Sequence, residues 1–403
     1  MPRALPEATA AHGCGVSPRA GRYRHGRGQP CQGRRCRCVS ARTTLGFALR
    51  VGIVGFVGLA GCKATNVGSA QAAPANRAEP RAQASAAHLA VVSPASAAPN
   101  ALVTFRGMCD ASGAVPLGAS LFAVAADEDN VLRVYDAARG GSALYAVDVS
   151  PVLDLPSGRR TPEADIEAAT RLGEYALWIT SHGLSSRGKK QPGRFRFFAT
   201  TAPSAGAGLA PVGRVYEALL DDMQACPLLA QFRLDRARRL APRDPGGLNI
   251  EGMTRRKDGN SVLIGFRNPR PQGKALLVPL LNPLGVVRDE RPQFGAPELL
   301  DLAGLGIRAM TLWHDRYLIA AGSAGNAHVS RLYAWTGETN DAPVALDVDL
   351  QELNPEAFVT FAAEPRVLVL SDDGTVDVGG TPCKHLADPN QQSFRGLWVR
   401  VPN

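Results

Sequence analysis

The chain has 403 residues, 45% of them hydrophobic and 20% charged, with a formal net charge of +9. The excess lies within residues 1–50, which hold ten arginines against the single acid Glu7, while 35 basic and 35 acidic residues balance over the remainder. A nucleic-acid-binding domain needs a basic face on its folded part, so that class is excluded and no nucleic acid is expected as a partner.

Residues 1–38 carry Cys14, Cys31, Cys36 and Cys38 without apolar periodicity. Their spacing is poor for a structural zinc site. Arg34-Arg35 suggests a twin-arginine signal, but Cys36-Arg37-Cys38 follows where that signal wants an apolar residue. We read 1–38 as a non-native upstream extension, with the native start near Val39. Arg42 and Arg50 then precede the apolar run Val51–Ala60. That run is too short to span a bilayer, which takes about 20 residues, but it suits a signal-peptide core of roughly 7–15. It closes on Leu59-Ala60-Gly61-Cys62, the pattern a lipoprotein signal peptidase reads. Residues 39–61 are therefore expected to be a signal peptide and Cys62 the lipidated, palmitate-bearing anchor. Lys63 is not the aspartate that retains many lipoproteins in the inner membrane, so the expected address is the cell envelope, preferably the outer membrane, with the domain outside the cytoplasm. Residues 62–101, rich in Ala, Pro and Ser, cannot bury enough surface to offset their chain entropy. They are expected to be a disordered tether, leaving 102–403 as the folded domain.

Short apolar runs bounded by Gly, Pro, Asn or Asp dominate that domain, at 121–125, 131–135, 175–180, 261–266, 275–279, 317–321, 331–335 and 366–370. They read as strands. Over 215–225, Val215, Leu219 and Met223 recur at helical spacing, and Pro227 ends the predicted helix. A repeat precedes several strands: Asp165-Ile166-Glu167-Ala168, Asn249-Ile250-Glu251-Gly252, Gly306-Ile307-Arg308-Ala309 and Asn354-Pro355-Glu356-Ala357 share one plan. Phe105-Arg106-Gly107 and Phe394-Arg395-Gly396 look like its first and last members. The steps approach the 40–50 residues of propeller blades, the longest holding the helical insertion, and no βαβ alternation is present. The predicted fold is an all-β propeller of about six blades, within a range of five to seven. The two Phe-Arg-Gly segments are expected to meet in one closing blade. Of the exported cysteines Cys109, Cys226 and Cys383, at most one pair can bridge internally, and spacing does not choose it.

If each repeat holds the same place in its blade, Arg106, Glu167, Glu251, Arg308, Glu356 and Arg395 ring one end of the channel. Three carboxylates could hold calcium or supply a general base. Three arginines in the same ring favour mutual ion pairing first, ligand binding second and metal last. Among the blade-exit loops, His182, Lys189, Arg194 and Arg267 could hold an acidic or phosphorylated ligand. Asp127-Glu128-Asp129-Asn130 and Asp372-Asp373-Gly374 are read as strand-connecting turns. No nucleophile elbow, phosphate loop, zincin motif or dinucleotide fingerprint is present.

The segments FRGMCDASGAV, AADEDNVLRVYD, GGLNIEGM with GFRNP, GIRAM and NPEAF together resemble a bacterial family of exported, propeller-like proteins of unknown function, itself distantly similar to esterase-like phytase propellers. The resemblance spans about 102–402 and implies no catalytic assignment. The expected function is binding of a small acidic ligand, glycan or protein at the channel mouth. The alternative is an ester or phosphoester hydrolase with Glu251, Glu167 and His182 as acid–base groups and Arg267 holding the anion.

Overall fold

The computed structural model describes residues 101–155, 162–203, 208–325 and 329–401. The upstream extension, the signal peptide, Cys62 and nearly all of the tether lie outside the described residues.

Every predicted strand is present, and the strands assemble into five sheets of four or five strands, with a separate two-stranded ribbon of Asp377–Val378 and Thr381–Pro382. In chain order from the inner strand outward, blade 1 is Ala114–Pro116, Leu121–Val124, Val131–Asp136 and Tyr145–Asp148. Blade 2 is Ile166–Leu172, Tyr175–Thr180, Phe197–Thr201 and Pro211–Tyr216. Blade 3 is Asn249–Arg255, Val262–Asn268, Ala275–Leu280 and Glu298–Leu300. Blade 4 is Gly306–Trp313, Arg316–Gly322, Ser330–Trp335 and Val344–Leu346. Blade 5 is Pro355–Thr360, Val367–Ser371 and Ser393–Val399, completed by the N-terminal strand Leu102–Arg106. The chain is a five-bladed β-propeller, the low end of the predicted range. Among the described residues no helix is long and apolar enough to cross a membrane.

The apolar runs form blades because each sheet is packed on both faces. The core is divided into five clusters, each wedged between two neighbouring blades. Second strands such as Val367–Ser371 are accordingly buried throughout. The helical insertion holds the helix Leu219–Ala225, a 3-10 turn Pro227–Phe232 and the short helix Leu234–Ala237, whose Leu219, Leu220, Met223, Leu229 and Leu234 fill the wedge between blades 2 and 3. Val215 and Tyr216 belong instead to the outer strand of blade 2, so helical spacing was correct for only part of 215–225.

Closure follows the expected route. Leu102–Arg106 pairs antiparallel with Ser393–Val399, placing Phe105 opposite Phe394. Their rings stack at 5.0 Å, with Tyr135 edge-on to both. Next to this seam Cys109 and Cys383 form a disulfide. Cys226 lies buried in the wedge between blades 2 and 3.

The two Phe-Arg-Gly segments are therefore the outer strands of one blade, not inner-strand repeats. The true blade 1 counterpart is Ala111-Ser112-Gly113-Ala114, where Ala125 exchanges backbone bonds with both Ser112 and Gly113. In blades 2 to 5 the registers slip by one residue between Ile166 and Ala168, Ile250 and Gly252, Ile307 and Ala309, and Pro355 and Ala357. The extra residues are Glu167, Glu251, Arg308 and Glu356. A β-bulge bends its strand and re-aims the unpaired side chain, here toward the axis. At Gly113 an added Cβ would stand 2.8 Å from the Ala168 carbonyl carbon of the adjacent inner strand. Gly113→Ala is expected to cost about 1–3 kcal/mol by overpacking, and an unchanged denaturation midpoint would refute that crowding.

Candidate functional site

The loops from second to third strand and those entering each inner strand open at one end of the axis. Together they wall a funnel of about 490 Å³. The bulges carry Glu167, Glu251, Arg308 and Glu356 into it, joined by Arg267 and Arg194. Six of the ten protein side chains singled out in the sequence thus converge.

Most of this charge is internally matched. Glu251, only 3% exposed, accepts from Arg267 Nη1 at 2.7 Å and from Asn249 Nδ2 at 2.6 Å. Its other oxygen faces Arg308 Nε at 3.7 Å. Arg308 is paired with Glu356 and donates to Asn354 Oδ1. Arg267 turns Nε and Nη2 to the Ser323 carbonyl, at 3.0 and 2.9 Å. Arg194 holds Asp165 at 2.8 Å and also Glu163, and Lys384 holds Glu128 at 2.9 Å. Ion pairing of the kind favoured from the sequence is present, built from three of the four inner-strand charges, Glu251, Arg308 and Glu356, and their loop partners.

Two acids stand outside the pairing. Glu167 and Asp127 have no hydrogen bond or ion pair with any described residue, and Asp127 Oδ1 is shut off from solvent as well. Burial holds both carboxyls well above the usual range, reinforced at Glu167 by Asp165, Glu251 and Asp127, and at Asp127 by Asp165, Asp372 and Glu128. Asp165 is pushed up to about 6 by burial, with Arg194 opposing. At the funnel's edge burial raises Asp110 to about 10, and its hydrogen bond to Asp372 adds to the shift. Asp372 also accepts from Asn354 Nδ2 and the Gly374 N–H.

Four expected site residues lie elsewhere. Arg106 is exposed at the end of the fourth strand of blade 5, paired with Ser142 of the short flanking strand Gly141–Ser142. Arg395, one strand further in, is clamped by both oxygens of Asp373 at 2.8 Å. Lys189 is exposed in its loop. His182 is fully buried, edge-on to Phe195, with Nδ1 2.8 Å from the Thr180 carbonyl. Burial lowers it to about 4, and it does not line the funnel, so its imidazole is a packed wall group. Conversely, Asp127, Glu128 and Asp372 line the funnel, whereas Asp129 binds Arg133 and Asp373 binds Arg395. Half of each acidic turn serves the loop and half faces the axis. Asp165, Asn249 and Asn354, the polar first residues of the repeat, are lining groups too. Among the described residues, no group of three or more His, Cys, Asp or Glu side chains has metal-holding geometry.

These shifts set a pH dependence. The folded chain holds the Asp110 proton that the unfolded chain releases near 3.8, so this contribution to stability is lost as pH rises from about 4 toward 10. His182 has the opposite sign: its folded pKa is depressed, so stability falls as pH drops from 6.5 toward 4. Melting temperature is expected to decline from neutral pH toward 10, less so in Asp110→Asn. Below pH 6.5 His182→Gln is expected to flatten the acid decline. Parallel profiles for wild type and both variants would refute the two assignments.

Residues 211–363, from the outer strand of blade 2 to the start of blade 5, match the family described as "Protein of unknown function (DUF3616)". The match includes Asn249–Met253 and the Arg267 loop. No curated protein matches the chain. Among solved structures it is similar to Myxococcus xanthus glutaminyl cyclase, at 10% identity and TM-score 0.39, covering 76% of this chain and 100% of that one. It is also similar to the β-propeller domain of Myceliophteria thermophila Cps50 (Swd1), at 9% identity and TM-score 0.35, covering 75% and 100%. Likenesses this distant say nothing of activity.

Proposed function

We propose that this protein is a lipid-anchored propeller of the cell envelope that binds a small polyhydroxylated ligand, a glycan unit, in its funnel. One observation carries the ligand class: Arg194, Arg267, Arg308 and Lys384 already hold carboxylates, so an anion would have to displace protein acids. Of the lining residues only Pro242 and Gly325 lack a polar side chain. A wall alternating guanidinium donors with carboxylate and amide acceptors suits hydroxyls, which both donate and accept. The volume lies within the usual range for small-molecule sites, roughly 300–1,000 Å³. Calorimetric titration with neutral sugars against sugar phosphates tests the reading. Binding confined to the phosphates would overturn it in favour of an acidic ligand. The anchor rests on the Leu59–Cys62 pattern, and palmitate labelling should be lost in Cys62→Ala.

The ester or phosphoester hydrolase remains the second reading, favoured by Glu167: a proton-bearing carboxyl facing the funnel is suited to general-acid work. Turnover of nitrophenyl esters, phosphates or glycosides that vanishes in Glu167→Gln would support it. His182 plays no part, because it lies behind the wall.

A further inference from the structure

The geometry points to a ligand bearing a primary ammonium group, seated between Glu167 and Asp127 on the blade 1–blade 2 side of the funnel. This rests on the polyhydroxylated reading and narrows it to an amino sugar.

The argument is an inventory of partners. Eight carboxyl residues and five cationic ones line the funnel. Glu128, Glu163, Asp165, Glu251 and Glu356 each hold a cation. Asp372 accepts from Asn354, Gly374 and the Asp110 carboxyl. What remains is Glu167, on its bulge and 9% exposed, and Asp127 on the neighbouring loop. Neither has a hydrogen-bond or ion-pair partner among the described residues, although burial raises the carboxyl pKa of both. A buried acceptor left unmade typically costs about 1–3 kcal/mol and more when charged; Asp127 Oδ1 is such an acceptor, and Glu167 faces the funnel with its acceptors free for a donor from outside.

The donor's chemistry follows. An ammonium presents three donors and no acceptor, which suits two carboxyls lining one cavity, and its charge answers the acidic excess of the lining. A hard divalent cation wants about 6–8 oxygen ligands, and the described residues offer no such cage. An anion would meet like charge. The ligand's hydroxyls would then lie toward Arg308 and Asn354 across the funnel.

Titrating the protein with glucose, glucosamine, N-acetylglucosamine and ethanolamine at neutral pH tests this, with calcium chloride as competitor. Glucosamine is expected to bind roughly tenfold tighter than glucose, the factor of one charge-assisted hydrogen bond. Acetylation of the amine, or Glu167→Gln, should erase that ratio. Glu167→Gln breaks no ion pair and is expected to melt at or above wild type. If it fails to fold, Asp127→Asn reads the same ratio. Equal affinities for glucose and glucosamine would overturn the ammonium while leaving the polyhydroxylated reading. Binding of ethanolamine without either sugar would uphold the ammonium and overturn that reading. Binding of neither the sugars nor ethanolamine, or displacement of glucosamine by calcium, overturns the inference.

Discussion

Glu251→Ala is expected to destabilise the propeller by about 3–5 kcal/mol, the cost of removing one partner from a buried ion pair. Glu251 stands between two guanidinium groups, 2.7 Å from Arg267 and 3.7 Å from Arg308, on the axial bulge of blade 3. Its removal leaves Arg267 on the Ser323 carbonyl and Arg308 on Glu356, facing each other with less negative charge between them. The loss should appear as a melting temperature lower by about 6–10 °C, at roughly 2 °C per kcal/mol for a domain of this size. Glu251→Gln, which keeps an acceptor, should lose less. Glu167→Gln lies on the equivalent bulge and should lose little, because no cation among the described residues is hydrogen-bonded or ion-paired to it. If Glu251→Ala melted with the wild type, the ion-pair network would not be holding the blades in register.

The double substitution Cys109→Ala, Cys383→Ala is expected to cost about 3–5 kcal/mol. The bridge spans 274 residues of sequence, so it closes nearly the whole propeller into one loop, and loop-closure entropy for such lengths is near the top of the usual range of about 0–5 kcal/mol. The strand seam between Leu102–Arg106 and Ser393–Val399 makes the same closure non-covalently, which keeps the loss below complete unfolding. The neighbours of the two cysteines, Asp110 and Lys384, are the groups that contact Asp372 and Glu128. Loosening the bridge should therefore also weaken the proposed sugar binding. The measurement is the midpoint of denaturant unfolding for wild type and double variant. Coincident midpoints would show that strand pairing alone closes the ring.

Much of this architecture could be read along the chain. Runs such as Tyr175–Thr180 and Val367–Ser371 are apolar throughout because second strands are covered on both faces, and each ends at a turn. The inner-strand repeat was legible because a bulge needs the same short pattern in each blade: an aliphatic residue or proline, the axial charge, then Ala or Gly. Its charged member was correctly placed in four blades. The count of six arose where local pattern and position part. Phe105-Arg106-Gly107 and Phe394-Arg395-Gly396 imitate the repeat from outer strands, while the genuine blade 1 copy carries no charge because Gly113 lies against the backbone of blade 2.

His182 shows the same boundary. A histidine directly after a buried strand could face the axis or the wedge, and the packing of Phe195 against it decides for the wedge. Within Asp127–Asp129 and Asp372–Asp373, turn chemistry is alike for each acid. Only the direction of the backbone sends Asp127 and Asp372 into the funnel and leaves Asp129 and Asp373 to bind arginines.

By itself, then, the sequence determined the all-β class, the closing of the first strand on the last, and the four charges that the bulges carry. These depend on neighbours within about ten residues or on a repeated pattern, which one dimension preserves. The blade number, the Cys109–Cys383 pairing, the partners of each arginine and the isolation of Glu167 and Asp127 were decided only in the folded ring. Each depends on distances between segments up to 274 residues apart, and in a closed ring those distances are set by how many wedges fill the circle.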